Sequence, residues 1–373
     1  MSTTLQTTPP GTSIEQEDAP SETPYQLAWR QLKKNRAAIA GGFVLILLYT
    51  MAILGNFLSP YSITETGSRV YQPPSPIRFH NAQGGFSLLP YTERLDVDIA
   101  TQVYHVAPGS STPIRFFVHG EPYRLLGILP LTVHLFGTDS STLYHPLGTD
   151  ADGRDVFSRL MVGSQISLTI GIVAILITFS IGLTVGGIAG YYGGAIDNIL
   201  MRVCEVIMSI PQFYLLIALS GLLPAKLDPR ISFLLIIMIL SFVGWAGLAR
   251  VIRGISLSTR ELEYVQAARA LGVPDIKIIR RHILPNAFSY ATVAATLAIP
   301  GYILAESGLS FLGLGIKVPI PSWGNMLSAA QEIDVLTSKF WILTPGLMIF
   351  VTVLAFNFLG DGLRDALDPK LRR

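Results

Sequence analysis

Six stretches of this chain run for about 20 residues without a charged side chain, and that feature limits the fold more than any other. A hydrocarbon core about 30 Å thick is crossed by roughly 20 helical residues rising about 1.5 Å each. Lipid offers no partner to the backbone, so apolar runs of this length must become helices that satisfy their own N–H and C=O groups. The stretches are 37–58, 165–187, the run between Glu205 and Lys226, 231–249, 283–305 and 340–360. Only 14% of the 373 residues are charged, against about 25% in a soluble domain. The sequence therefore predicts an all-α membrane protein, a bundle of about six transmembrane helices whose first partner is the lipid bilayer.

Lysine and arginine in short flanks orient such a bundle. The N-terminal flank carries Arg30, Lys33, Lys34 and Arg36. The segment between the fourth and fifth stretches carries seven basic residues, and the end of the chain carries Arg364, Lys370, Arg372 and Arg373. The loops after the third and fifth stretches carry two each. This alternation places both termini in the cytoplasm and the segment from 59 to 144 outside. Residues 1–24, rich in Thr, Pro, Ser, Glu and Gln, read as a disordered cytoplasmic tail. Residues 25–58 form the N-terminal flank and the first span, which is too long for a signal-peptide core. Residues 145–373 form a five-helix core with a cytoplasmic loop at about 255–285.

The outer segment reads as a small β-rich insert, from runs such as LDVDIATQVYHV and PIRFFV between prolines and glycines. It can contact a partner protein or merely cap the bundle. After it, Asp150, Asp152 and Asp155 surround Gly153. Without the terminal glutamate of a calcium loop they read as a turn, with Asp155 capping a helix. Val156, Leu160 and Met161 give that helix an apolar side able to rest at the membrane interface. Gly182, Gly186 and Gly190 recur every four residues and predict a helix-packing stripe. Pro211, Pro300 and Pro345 fall in or near spans.

The loop between the fourth and fifth spans reads TRELEYVQAARALGVPDIKIIRRHILPN. Tyr264, Ala267, Ala268 and Leu271 share one helical face, Gly272 stops the helix, and Pro274 with Asp275 starts another. The product is helix, tight turn, helix. It is either a lever against a cytoplasmic partner or an amphipathic surface helix.

This stretch resembles the EAA loop of ABC importer permeases, whose pattern is EAA, three residues, Gly, nine residues, Ile, one residue, Leu-Pro. Ala267, Ala268, Gly272, Leu284 and Pro285 fall in register; Gln266 replaces the Glu, with Glu263 one turn away, and His282 replaces the Ile. HPLGTDADGRDVFSRLMVGSQISL at 145–168, ESGLSFLGLGIKVPIPSWGNML at 306–327 and FNFLGDGLRDALDP at 356–369 are similar to the C-type permease subunit of dipeptide and oligopeptide importers. The resemblance implies a type I importer bundle in a bacterial or archaeal plasma membrane. It further implies a homologous permease partner in a heterodimer, two cytoplasmic ATP-binding subunits and an external substrate-binding protein. Glu263 to Pro285 would couple to the ATPase. Relatives of this family handle peptides, nickel chelates or oligosaccharides.

Competing classes fit less. No GxxxxGK[ST] loop is present, so ATP hydrolysis belongs to other subunits and the chain is no enzyme. The six histidines form no metal-spaced cluster, so neither metal nor other cofactor is expected. A net charge of +2 gives no reason to expect nucleic acid, and Cys204, the single cysteine, reads as a small buried residue. Gly308-Leu309-Ser310-Phe311 would suit an intramembrane serine protease, but no histidine follows His282 to serve as base. A channel or secondary transporter would want ionisable groups inside the spans, and their interiors lack them. Glu306 closes the fifth span near its outer end. It can face a translocation cavity and meet the amino group of a peptide, or cap the helix through Ser307 and Gly308. The topology is checked by reporter fusions: those after Leu58 and Ala305 should read as external and one after Arg253 as internal. An external reading at Arg253 would sink it.

Overall fold

The structure is a computed structural model that describes residues 24–80, 85–98, 100–101, 103–125, 127–138, 143–224 and 226–367. The expected tail at residues 1–23 lies outside the described residues, as do Lys370, Arg372 and Arg373. The helices are α1 (Pro24–Leu32), α2 (Arg36–Ile53), α3 (Gly55–Leu58), α4 (Val156–Tyr192), α5 (Gly194–Ser209), α6 (Gln212–Gly221) and α7 (Pro229–Thr259). They continue with α8 (Glu263–Ala270), α9 (Asp275–Ile278), α10 (Leu284–Phe311), α11 (Trp323–Met326), α12 (Ile333–Ser338) and α13 (Thr344–Leu367). Among the described residues, five helical spans are long and apolar enough to cross a bilayer, and a sixth appears if the bent pair α5–α6 counts as one.

That bent pair corrects the third span. The two halves meet at 83° rather than forming one rod. Pro211 is the cause. Its ring excludes the helical conformation from the preceding residue, and Ile210 is extended at φ −92°, ψ 128°. At about 15 Å, the ten residues of α6 are too short to cross alone. Pro345, in the first turn of α13, costs no hydrogen bond, and Pro300 is buried inside α10 without ending it.

The second span is longer than expected. α4 has 37 residues, about 56 Å of helix. Asp155 caps it by accepting from Ser158 N at 2.7 Å and from His145 Nδ1 at 2.8 Å. Asp150 turns to Arg154, at 2.9 Å. Val156, Leu160 and Met161 are not an interfacial face. They are buried, Leu160 and Met161 with Leu45, Leu48 and Trp323, and Val156 with Val335 and Trp341. The upper turns of α4 therefore anchor α2 and the segment before α13.

The β-rich insert spans 77–137. Strands β1 (Ile77–His80), β2 (Phe86–Thr92) and β5 (Thr112–Pro113) form one antiparallel sheet, in the order β1-β2-β5. β3 (Leu95–Val97) pairs with β4 (Tyr104–Val106), and β6 (Arg115–Leu125) pairs with β7 (Leu129–Gly137) as a hairpin. Asn56 Nδ2 of α3 donates to the Arg124 carbonyl at 3.3 Å and ties the hairpin to the bundle.

α4 is the central rod, packed against α2, α5, α7 and α10. The glycine stripe lies against α7. A Cβ at Gly182 would stand 2.9 Å from Leu248 Cδ2, one at Gly186 2.5 Å from the Ala249 carbonyl oxygen, and one at Gly190 2.5 Å from Ser256 Cβ. At the last two positions α4 meets α7 backbone to backbone or nearly so. Below and beside this seam, Ile170, Ala174, Ile236, Leu240 and Leu309 join α4, α7 and α10 in one core. Gly186→Ala and Gly190→Ala should therefore overpack the seam and lower stability by about 1–3 kcal/mol. Gly254→Ala, where nothing lies within 4 Å, should be neutral or slightly stabilising. Thermal unfolding in detergent checks this, and equal melting of all three variants would refute the seam.

Candidate functional site

The loop between α7 and α10 forms a small packed body at one end of the bundle. In α8, Val265 and Ala268 lie three residues apart and point inward, onto Ile278, Ile279, Ile283 and Tyr191. Tyr264 and Leu271 point outward, 49% and 84% exposed, and Ile276 joins them at 61%. This corrects the single face expected from Tyr264, Ala267, Ala268 and Leu271. Ala267 is exposed, whereas Ala268 belongs to the core of the loop itself. Two short strips thus divide the helix, one holding the loop together and one open to a partner.

Gly272 ends α8 with φ +75°, the left-handed conformation expected of it. Its N–H donates to the Arg269 carbonyl at 3.0 Å and that of Val273 to the Ala268 carbonyl at 3.2 Å, the paired bonds of a Schellman turn. Pro274 sits one place earlier than expected, as the cap of α9 rather than its first residue. The second helix is no separate piece. α9, a single wide turn at Ile279–Ile283, and α10 run on as one helix, with the Leu284 N–H bonded to the Ile279 carbonyl five residues back. The wide turn admits Pro285, which has no N–H to give, into the first turn of α10 without a break.

Polar bonds weld this body to the bundle. Gln266 Nε2 donates to the Arg260 carbonyl at 2.8 Å, a bond open to an amide at the place of the family's glutamate. Arg260 Nη1 reaches the last carbonyls of α4, Gly190 at 3.2 Å and Tyr191 at 3.4 Å. The Tyr191 hydroxyl donates to Asp275 Oδ1 at 2.6 Å. Arg253 donates twice to Asp197 of α5, at 2.6 and 2.5 Å. Asn286 Nδ2 donates to Thr259 Oγ1 at 2.9 Å, and Leu284 packs under Gly187. Glu263 is exposed in the first turn of α8. Sequence reasoning counted Arg253 and Arg260 only as topology signals and missed Asp197 and Tyr191. The available signal was Asp197 itself, an acid in the short segment that joins the second and third apolar stretches.

Glu306 lies elsewhere. It is fully buried in α10, where its Oε1 accepts from Ser310 Oγ at 2.6 Å, with Ser167, Ser307 and Ser322 around it. Ser310 Oγ also accepts from Ile316 N at 3.1 Å, and Ser167 Oγ from Trp323 N at 3.0 Å. The carboxylate thus faces a polar knot joining α10 and α4 to the segment before α11. It does not line the open groove formed by its neighbours Leu304 and Ala305.

Comparison with known proteins gives a consistent picture. Residues 182–373 match the family described as binding-protein-dependent transport system inner membrane component. Residues 23–74 match the N-terminal TM domain of oligopeptide transport permease C. The dipeptide transport system permease protein DppC of Bacillus subtilis is 38% identical over 95% of this chain and 88% of its own length. The glutathione transport system permease protein GsiD of Pectobacterium atrosepticum is 43% identical over 95% and 94%. The oligopeptide transport system permease protein OppC of Haemophilus influenzae is 44% identical over 61% and 71%.

The left-handed turn at Gly272 gives a local prediction. Nothing lies within 4 Å of a Cβ there, so Gly272→Ala adds no clash and isolates the backbone cost, about 1–2 kcal/mol. Amide hydrogen exchange across 263–283 should speed up in this variant while exchange in α4 and α7 stays as it was. Unchanged exchange in the loop would contradict the turn.

Proposed function

The chain belongs to the family of binding-protein-dependent transport system inner membrane components, and from that premise we propose that it carries peptides inward as one half of a permease pair. It is a multi-pass transport subunit of an ABC importer, and ATPase and substrate-binding proteins complete such a machine. The names of the three relatives share a peptide chemistry, which supports a di- or oligopeptide substrate here. In this reading both termini face the cytoplasm. A homologous permease pairs with this chain, two ATP-binding subunits sit below, and an external binding protein delivers the substrate.

The observation that carries the reading is the loop body between α7 and α10. Its outer strip, Tyr264, Leu271 and Ile276, exposes apolar side chains on a compact unit whose inner strip is already filled. Such a strip suits a cleft in an ATPase subunit. The welds determine what a push there would do. Arg260 binds the loop's base to α4, Gln266 binds α8 to α7, and α9 is continuous with α10. A displacement of α8 and α9 would move α10 directly and α4 with α7 through these bonds. Closure of the ATPase pair on ATP would then tilt the bundle outward-open, and hydrolysis would let it return, a rigid-body form of alternating access.

The test uses Leu271→Asp and Ile276→Asp, both at exposed positions that leave the inner strip intact. Each should abolish co-purification of the ATPase subunits and ATP-dependent peptide uptake in proteoliposomes, while membrane insertion stays normal. Ala268→Trp should instead disrupt the loop's own packing. Normal docking and uptake in both aspartate variants would reduce the segment to a surface helix.

A further inference from the structure

One face of α10 remains open from Asn286 to Ala305. Asn286, Ser289, Tyr290, Val293, Ala294 and Leu297 line a groove of about 530 Å³ that ends at Arg364 of α13. The same face continues through Ala298, Gly301 and Ala305 into a second groove of about 610 Å³, whose opposite wall is Gln212, Phe213 and Gly244. The positions recur at three- and four-residue steps, so they form one stripe. From Asn286 to Ala305 that stripe is about 28 Å long, close to the thickness of a hydrocarbon core.

Its chemistry differs from that of the faces built for lipid. α2 exposes Ile39, Phe43, Ile46 and Leu47, and α13 exposes Leu347, Phe350 and Phe358. The α10 stripe exposes an asparagine, a serine, a tyrosine, a glycine and small alanines. Among the described residues, the side chains of Gln212, Ser289 and Tyr290 have no hydrogen-bond partner. Polar groups at membrane depth face protein or water, because lipid leaves them unsatisfied. The outer groove is kept open by the break at Pro211, which turns α6 across α7, and by missing side chains. Gly244 admits the Tyr302 hydroxyl, which a Cβ there would displace, and Gly301 has nothing within 4 Å.

We propose that this α10 stripe, with Gln212 and Tyr290 as its polar stations, is the wall that this chain contributes to the translocation path. The inference rests on the importer reading and adds the residues. Neither groove is lined by an acidic residue, and Arg364 stands only at the end of one. Such a wall meets a peptide through hydrogen bonds to its backbone, not through ion pairs, and so does not trap it on the way. The two grooves meet at Leu297 and Ala298, where an alternating path needs its closure.

Site-directed labelling tests this in the complete complex, reconstituted in proteoliposomes. Cys204, the single native cysteine, is first replaced by serine. Ser289→Cys and Ala294→Cys probe the inner groove, Ala298→Cys and Ala305→Cys the outer one, and Phe43→Cys and Phe350→Cys the lipid-facing surface. A membrane-impermeant methanethiosulfonate is applied from either side, without nucleotide and with ATP trapped on a hydrolysis-deficient ATPase. The inner pair should react several-fold faster without nucleotide and the outer pair several-fold faster with trapped ATP, the lipid-facing pair staying slow throughout. If all four stripe positions react as slowly as Phe43→Cys in both states, the face is covered by the second permease and the proposal fails. Nucleotide-independent rates overturn it too. Peptide uptake measured in matched vesicles with the hydrolysis-competent ATPase separates the readings: uptake past an unlabelled stripe leaves the importer standing with its path elsewhere. Nucleotide-gated labelling without peptide uptake keeps the path and removes the peptide.

Discussion

The approach of α4 to α7 at Gly186 and Gly190 governs the rest of the molecule. Where a Cβ would stand 2.5 Å from a carbonyl of the facing helix, the two backbones are as close as helices come. That closeness also sets the reach of the polar bonds at the end of the bundle. Arg253 and Arg260 leave α7 within one and two turns of the contact, and they find Asp197 and the last carbonyls of α4 because α4 is already there. A larger residue on the stripe would push α7 outward and lengthen each of those bonds. Packing inside the membrane and bonding outside it are thus one arrangement, and the loop inherits its position from three glycines.

Much of this was legible in the sequence. The charge-free runs located the spans apart from the bent third, the runs LDVDIATQVYHV and PIRFFV fell on β3, β4, β5 and β6, and Asp155 was readable as a cap. What escaped depended on partners distant in the chain. The run between Glu205 and Lys226 looked like one span because hydropathy does not register direction, yet Pro211 turns it through 83°. Three prolines of similar context behaved differently, because one follows an extended residue, one is held by packing and one lies where no N–H is needed. Periodicity placed Ala267 and Ala268 on one face. Their 100° separation was enough to send one into the core and leave the other outside once Ile278, Ile279 and Ile283 folded back beneath them. Glu306 and Ala305 are the same case: adjacent in sequence, one buried among serines and one lining a groove.

The site was legible in outline only. Family resemblance pointed to the loop, and the left-handed Gly272 followed from its place after the last periodic residue. The welds did not follow, because Tyr191 and Asp275 are 84 residues apart and Arg253 and Asp197 are 56 apart. One cross-chain bond can be rationalised in retrospect. Gln266, at the place of an acid, keeps a donor for the Arg260 carbonyl that an ionised glutamate would lack, so the departure from the family pattern keeps α8 tied to α7 by other chemistry.

α10 joins the two ends of the argument. The helix that begins inside the loop, at Asp275, is the helix whose open stripe crosses the membrane, and no hinge separates them. The wide turn at Ile279–Ile283 is no joint, since its core-facing residues, Ile279 and Ile283, are buried rather than free to flex, and Pro300 farther along is buried without ending the helix. A load applied at Ile276 is therefore delivered to the stripe as rotation or tilt of a rod, not absorbed at a joint. The far end of that rod meets a polar knot, in which Ser310 bonds both Glu306 and the Ile316 N–H while Ser167 of α4 accepts from the Trp323 N–H. In such a rod the displacement falls steadily from the driven end, so Leu297 and Ala298, between the two grooves, shift by a part of the applied movement. The carboxylate, which sequence alone offered either as a contact for substrate or as a helix cap, is buried in this knot beside the outer groove and does not line it.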